Sequence, residues 1–214
     1  MIRVEPAKEP ADFDEKVRKR GNEWLKTNSE GKKSPPAFWR EVHEEFFAAY
    51  KGYCAYTTFR LPTSEHGVVD HFKPKSRYKE LTYEWTNYRL AGYYVNSKKG
   101  ESCEVLDPFQ LPEDAYLLQA DGSIEANAAV FTTPRQQEQA ERTIDILGLN
   151  SPANCKARRE YIRNFLESVS AQNTTPEVIA CAKKALESSS RFLYHEAQRQ
   201  GMIPGSVEKS FIIE

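Results

Sequence analysis

Asp70 and His71 stand side by side, and Asn87, Asn96 and Lys99 follow them along the chain. These residue types suit phosphodiester hydrolysis. A water must lose a proton, which asks for a base that titrates near neutrality, and histidine is the side chain that does so. Negative charge then builds on the phosphate and leaving oxygens, where a hard divalent cation held by oxygen ligands can stabilise it. Neighbouring strand residues point to opposite faces, so Asp70 can hold a metal while His71 faces the attacking water. Asn96 offers a second, neutral oxygen ligand, which leaves the cation more net charge for the phosphate. Asn87 can fix the loop that carries His71. Lys75, Arg77, Lys98 and Lys99 supply positive charge for phosphate and nucleic-acid binding. The expected roles are His71 as general base, Asn87 as its orienting partner, and Asp70 and Asn96 as ligands to one Mg²⁺ or Mn²⁺.

Positioning these groups falls to the surrounding elements. Gly67 to Phe72 reads as a strand running into a loop at Lys73-Pro74, and the stretch to residue 86 is irregular and polar. Asn87 to Leu90 reads as a turn or short strand, and Ala91 to Lys99 as a short helix stopped by Gly100. Residues 53–60, aromatic and β-branched, predict a hairpin or knuckle. Upstream, Phe13, Val17, Trp24 and Leu25 recur at helical spacing over 11–28; Pro35 and Pro36 break the chain, and Phe38, Trp39, Val42, Phe46, Phe47 and Tyr50 mark a second helix ending at Gly52. Downstream, Asp121-Gly122 predicts a hairpin turn, and helices are expected over 134–147, 152–170 and 175–199. Irregular segments held by a rigid scaffold are where chemistry tends to sit.

The segment from Tyr53 to Gly100 resembles the ββα-metal finger of HNH endonucleases. It has an Asp-His pair, an Asn 16 residues after His71, a second Asn 9 residues further on, and a Lys three beyond that. More narrowly, Tyr53-Cys54-Ala55-Tyr56, His71-Phe72-Lys73-Pro74-Lys75-Ser76, Asn96-Ser97-Lys98-Lys99-Gly100, Asp107-Pro108, Asp121-Gly122, Thr143 to Asn150 and Arg158 resemble the HNH proteins of Septu and retron-associated anti-phage systems. The resemblance implies a DNA endonuclease effector in antiviral defence, acting with an ABC-type ATPase partner. Many such proteins carry two CxxC pairs that bind structural zinc. Here those positions are Cys54, Thr57, Gly92 and Val95, and a four-ligand site cannot form from one cysteine. No structural zinc is expected, and aromatic packing by Tyr53, Tyr56, Tyr93 and Tyr94 is expected in its place.

The rest of the composition bounds these expectations. The 214 residues are 39% hydrophobic, enough for one core with or without an appended lobe. Lys and Arg number 30 against 31 Asp and Glu, a net charge of -1. This argues against coating of nucleic acid by bulk charge but not against a local basic groove. The polar start, the absence of a membrane-length apolar run, and four scattered cysteines without a CxxC pair point to a cytoplasmic protein with reduced thiols and no membrane association. Asn173-Thr174-Thr175 fits a glycosylation acceptor but carries no meaning in that compartment. His66 is expected in a loop, His43 and His195 as structural or exposed helix residues, and Trp85 as core rather than a base platform.

The expected fold is α+β, a small ββα-metal core (53–110) between an N-terminal helical segment (1–52) and a hairpin plus helical scaffold (111–214), together one compact domain. Two other functions remain open from the residues alone: a non-catalytic HNH-like subunit that binds and regulates a partner, and an RNase, since nothing in the sequence reads a sugar 2′-hydroxyl.

Overall fold

The computed structural model describes residues 1–28, 34–172 and 174–204. Residues 29–33, in the expected helix break ahead of Pro35, and Asn173 of the glycosylation-type triplet lie outside them. Among the described residues, helices mix with two small antiparallel sheets, and the protein is of the α+β class. The chain forms two compact units, Arg3–Leu111 and Pro112–Glu214, with Met1–Ile2 joining the second.

In the N-terminal unit, a π-helical stretch Asp14–Lys19 runs into α1, Arg20–Thr27. A 3-10 turn Phe38–Val42 leads into α2, His43–Ala49, so the expected second helix is α-helical only in its second half. Strand β1, Gly67–His71, pairs with β2, Tyr88–Gly92, in a register that sets Asp70 opposite Arg89 and His71 opposite Tyr88. Gly92 keeps an extended backbone, and α3, Tyr93–Lys99, begins at the next residue and stops at Gly100, which takes φ 51°. Strand β2 therefore extends to Gly92, past the Ala91 at which the sequence places the helix start.

This ββα arrangement sits on a core made mostly of aromatic side chains: Phe13, Phe46, Tyr50, Tyr83, Trp85 and Tyr88, with Val17, Val42 and Leu90 filling between them. Phe46 meets Trp85 nearly edge-on at 5.2 Å, the geometry aromatic quadrupoles prefer. Gly21 has no alternative here, because a Cβ at that position would lie 2.2 Å from the Tyr83 ring. Trp85 is core, as its spacing suggests, and donates its indole N–H to the Ala7 carbonyl at 2.8 Å. The 53–60 knuckle closes through a Tyr53–Arg60 bridge and donates Ala55 N–H to Leu90 O at 2.7 Å, tying it to β2.

The C-terminal unit opens with the hairpin β3, Tyr116–Leu118, and β4, Ile124–Ala126, turning at Asp121-Gly122 as expected. Helices α4 (Pro134–Leu147) and α5 (Pro152–Ser170) occupy the expected ranges. Thr133 and Gln136 form a reciprocal capping box at the start of α4, and left-handed Gly148 ends it. The expected helix over 175–199 is two helices, α6 (Pro176–Ser189) and α7 (Arg191–Arg199). Ser190 breaks it: its extended backbone ends α6, and its hydroxyl accepts the Leu193 N–H to cap α7, a role serine favours over a place inside a helix.

Candidate active site

Asp70 and His71 diverge as neighbouring strand residues must. The Asp70 carboxylate points inward and is buried. The Tyr56 hydroxyl donates to Oδ2, and the Lys99 ammonium donates to Oδ1 at 3.0 Å. Lys99 also donates to the His71 carbonyl at 3.0 Å. Burial, followed by the Asp70 charge, holds the Tyr56 phenol well above its ordinary value, so its proton stays in place to be donated.

His71 lies at the end of β1 and is half-buried. Nε2 is 2.9 Å from the Thr82 carbonyl oxygen. A carbonyl can only accept, so Nε2 carries the proton and the Nδ1 lone pair is left as the basic position. The Tyr88 hydroxyl donates to the same Thr82 oxygen at 2.9 Å. The imidazole stands nearly perpendicular to two rings, Trp39 at 4.7 Å and Tyr88 at 5.1 Å. Burial is the largest cause lowering the His71 pKa, from 6.5 to about 4. The Thr82 hydrogen bond opposes that shift, and the positive charges of Lys75 and Lys99 add to it.

Asn87 is buried beneath the loop that follows β1. Its Oδ1 accepts the Lys73 N–H at 2.8 Å, and its Nδ2 donates to the carbonyls of Lys73 and Leu81 at 3.0 and 3.1 Å. Its own carbonyl accepts the Phe72 N–H at 2.9 Å. One side chain thus pins both ends of a segment built of turns and the 3-10 turn Lys79–Leu81.

The four expected phosphate-binding cations are placed differently from one another. The Lys75 ammonium lies over the Trp39 ring, 5.1 Å from its centroid. Arg77 is exposed, and so is Lys98, whose ammonium is 5.8 Å from the Tyr94 ring. Lys99 is sealed against Asp70 and does not present its charge to solvent. Tyr56 is buried as the expected zinc replacement would be, but Tyr93 and Tyr94 are 61% and 53% exposed and pack into no such cluster. They start α3 on its solvent side, whereas Val95 and Lys99, a turn apart, form the buried side.

Oxygen ligands from Asp70 and Asn96 are of the hard type that Mg²⁺ and Mn²⁺ take. Each Asp70 oxygen accepts one hydrogen bond and keeps a second lone pair, and the Asn96 side chain makes no hydrogen bond among the described residues. The donor chemistry fits a hard cation, although the Lys99 ammonium already balances the carboxylate charge.

Sequence reasoning missed two contributors to this site. Trp39 carries a helix signal but no functional one. The Thr82 carbonyl is backbone, which leaves no trace in residue type. Apart from this site, in the C-terminal unit, Asp114, His195 and Glu196 each bring a ligand-type atom within 4.8 Å of the others. His195 Nε2 is 2.6 Å from Asp114 Oδ1. Both Glu196 oxygens are taken, by Arg199, by Gln200 and by the Leu118 N–H, which makes this group a network joining α7 to the hairpin. His66 lies in a 3-10 turn, 2.9 Å from Thr63 Oγ1, and His43 opens α2. Among the described residues, no helix is long and apolar enough to cross a membrane. In comparisons with known proteins, no family model matches this chain and no curated protein matches it in sequence.

Proposed function

We propose that the N-terminal unit is a metal-dependent endonuclease of the HNH type that hydrolyses DNA phosphodiester bonds. The observation that carries this reading is the state of His71. Its Nε2–H is committed to the Thr82 carbonyl, its Nδ1 lone pair is left over, and it sits on a strand–strand–helix unit that also carries Asp70, Asn87 and Asn96. A histidine held in one tautomer with a free lone pair can take a proton as a general base, and burial makes it a weaker base than the near-neutral one expected from the sequence. His71 Nδ1 takes the proton of the attacking water. Asn87 holds the loop beyond His71 in shape. Lys75, with Arg77 and Lys98 at the surface, attracts and balances the phosphate charge. Asp70 and Asn96 would hold one Mg²⁺ or Mn²⁺, which would stabilise the negative charge gathering on the phosphate oxygens.

On the strength of the resemblance, the proposal extends to a role in bacterial anti-phage defence beside an ABC-type ATPase, and that partner and the DNA substrate are part of it. The test is incubation of the purified protein with supercoiled plasmid and Mn²⁺ or Mg²⁺, with and without chelator, beside His71→Ala. Nicking lost in both controls supports the enzyme and its base. Cleavage by His71→Ala at the parent rate would overturn the base assignment. Single-stranded RNA in the same assay separates an RNase.

One observation favours the non-catalytic alternative. Asp70 is already matched by a buried ammonium and a phenol, a stable arrangement for a subunit that keeps the ββα shape without the chemistry. Absence of cleavage both alone and with the ATPase partner would favour it.

A further inference from the structure

We propose that Trp39 is a positioning residue of the site, a single side chain that fixes both the plane of the His71 imidazole and the place of the Lys75 ammonium. This rests on the nuclease reading above and extends it to a segment, 1–52, that the motif does not reach.

The argument starts from what restrains His71. The Thr82 carbonyl fixes one nitrogen, which leaves the ring free to swing about that bond. Two perpendicular rings remove this freedom: Tyr88 at 5.1 Å and Trp39 at 4.7 Å, with interplanar angles of 75° and 78°. Tyr88 lies on β2, opposite His71 in the sheet, and is bonded to the same Thr82 oxygen, so the sheet alone supplies it. Trp39 comes from outside the ββα unit, on the 3-10 turn Phe38–Val42 that leads into α2. It is braced in turn by Tyr83 at 6.1 Å and Tyr88 at 6.5 Å.

Lys75 is the second half of the argument. It lies four residues beyond His71 in the irregular loop, where a long flexible side chain would otherwise sample many rotamers. Its ammonium sits 5.1 Å from the Trp39 centroid, within the range of a cation–π attraction. The base and one of the phosphate-binding cations therefore share one indole. Holding the reacting groups in register is worth large factors in rate, and a loose support shell is a common way to lose them.

The test uses Trp39→Leu, Trp39→Phe and Lys75→Met in the full chain, with folding checked by thermal unfolding. Two readouts are taken. By NMR, the Lys75 ε-methylene protons in the parent are displaced upfield by the indole ring, and those of the His71 ring are displaced from random-coil positions. In Trp39→Leu both sets move toward random-coil values. In steady-state cleavage, Trp39→Leu reproduces the rise in KM of Lys75→Met and adds a fall in kcat of about tenfold or more, and Trp39→Phe recovers most of the kcat. A merely structural role would lower the melting temperature without splitting kcat from KM in this way. The NMR readout does not need cleavage, so it tests the positioning even if the nuclease reading fails. If Trp39→Leu does not fold, the parent's own spectrum decides: Lys75 ε-methylene and His71 ring protons at random-coil positions would overturn the proposal. Resonances unmoved by the substitution, or kcat and KM within twofold of the parent in folded Trp39→Leu, would overturn the proposal.

Discussion

The Lys99 ammonium and the Asp70 carboxylate form an ion pair 3.0 Å apart inside the protein, with the lysine side chain wholly excluded from solvent. The pair joins the last turn of α3 to β1, and the further bond from Lys99 to the His71 carbonyl makes the helix end part of the strand's hydrogen bonding.

Removing one partner of such a pair strands a buried charge, which typically costs about 3–5 kcal/mol. Lys99→Met is therefore expected to lose stability on that scale in denaturant unfolding. Asp70→Asn together with Lys99→Met leaves no orphan charge and is expected to recover a good part of the loss. A double-mutant cycle with no coupling energy would show the two groups to be independent, contrary to the geometry.

A second prediction concerns pH. In the folded protein His71 titrates at about 4, because burial disfavours its charged form, against 6.5 for the ordinary side chain. The unfolded chain takes up the proton first as pH falls. The His71 contribution to stability is thus complete above pH 6.5 and is lost progressively between 6.5 and about 4. The neutral base persists through the same window. At pH 5, roughly nine tenths of His71 remains unprotonated, whereas an unperturbed histidine would retain only a few per cent. Cleavage at fixed metal occupancy should therefore hold nearly level from pH 7 to 5 and fall by half near 4. A midpoint near 6.5, in cleavage and in the NMR titration of His71, would contradict the burial of its ring.

What was legible in the sequence follows from how each feature is written there. The capped helices α4 and α5 announce themselves, because Thr133 and Ser151 each precede a proline, and Gly148 closes α4. The ββα elements show as a strand pattern around Asp70-His71 and a glycine stop at Gly100. The burial of Lys99 does not show: a lysine at a helix end reads as solvated, and only the fold reveals that β1 brings Asp70 beneath it. Tyr93 and Tyr94 mislead in the opposite sense, since aromatic type suggests core while the buried side of α3 runs through Val95 and Lys99. The role of Trp39 depends on a contact across 32 residues to His71, and single-sequence periodicity cannot supply a contact at that range.

Asn87 gives a third prediction. Replacing it with Ala removes three hydrogen bonds and leaves the Lys73 N–H and the Lys73 and Leu81 carbonyls without their partner. Each lost bond that leaves a buried group unpaired costs about 1–3 kcal/mol, with water recovering part of it where the loop is exposed. The expected net loss is about 2–4 kcal/mol. The diagnostic result is local: amide exchange at Lys73 should accelerate more than exchange in β1. Asp in place of Asn keeps the acceptor but turns a carboxylate oxygen against the Lys73 and Leu81 carbonyls, so at neutral pH it should be no more stable than Ala. Uniform acceleration across the N-terminal unit would mean that Asn87 supports the whole fold and not this loop.

The C-terminal unit has its own buried cation in Arg158. Its guanidinium donates to the Gly122 carbonyl at 3.0 Å and to the Leu149 carbonyl at 2.8 Å, which binds the hairpin turn and the end of α4 to α5. Burial lowers its pKa to about 10, so it remains charged at neutral pH, and the carbonyls past the C-terminus of α4 are the negative end of a helix dipole that favours a cation there. The fork is what matters: Lys carries the charge but cannot reach two carbonyls set apart in this way. Arg158→Lys is therefore expected to destabilise the C-terminal unit nearly as much as Arg158→Met, by about 2–4 kcal/mol, and both should speed amide exchange around Gly122 and Leu149. If Arg158→Lys were as stable as the parent, charge alone would account for the residue and the paired carbonyl bonds would be incidental.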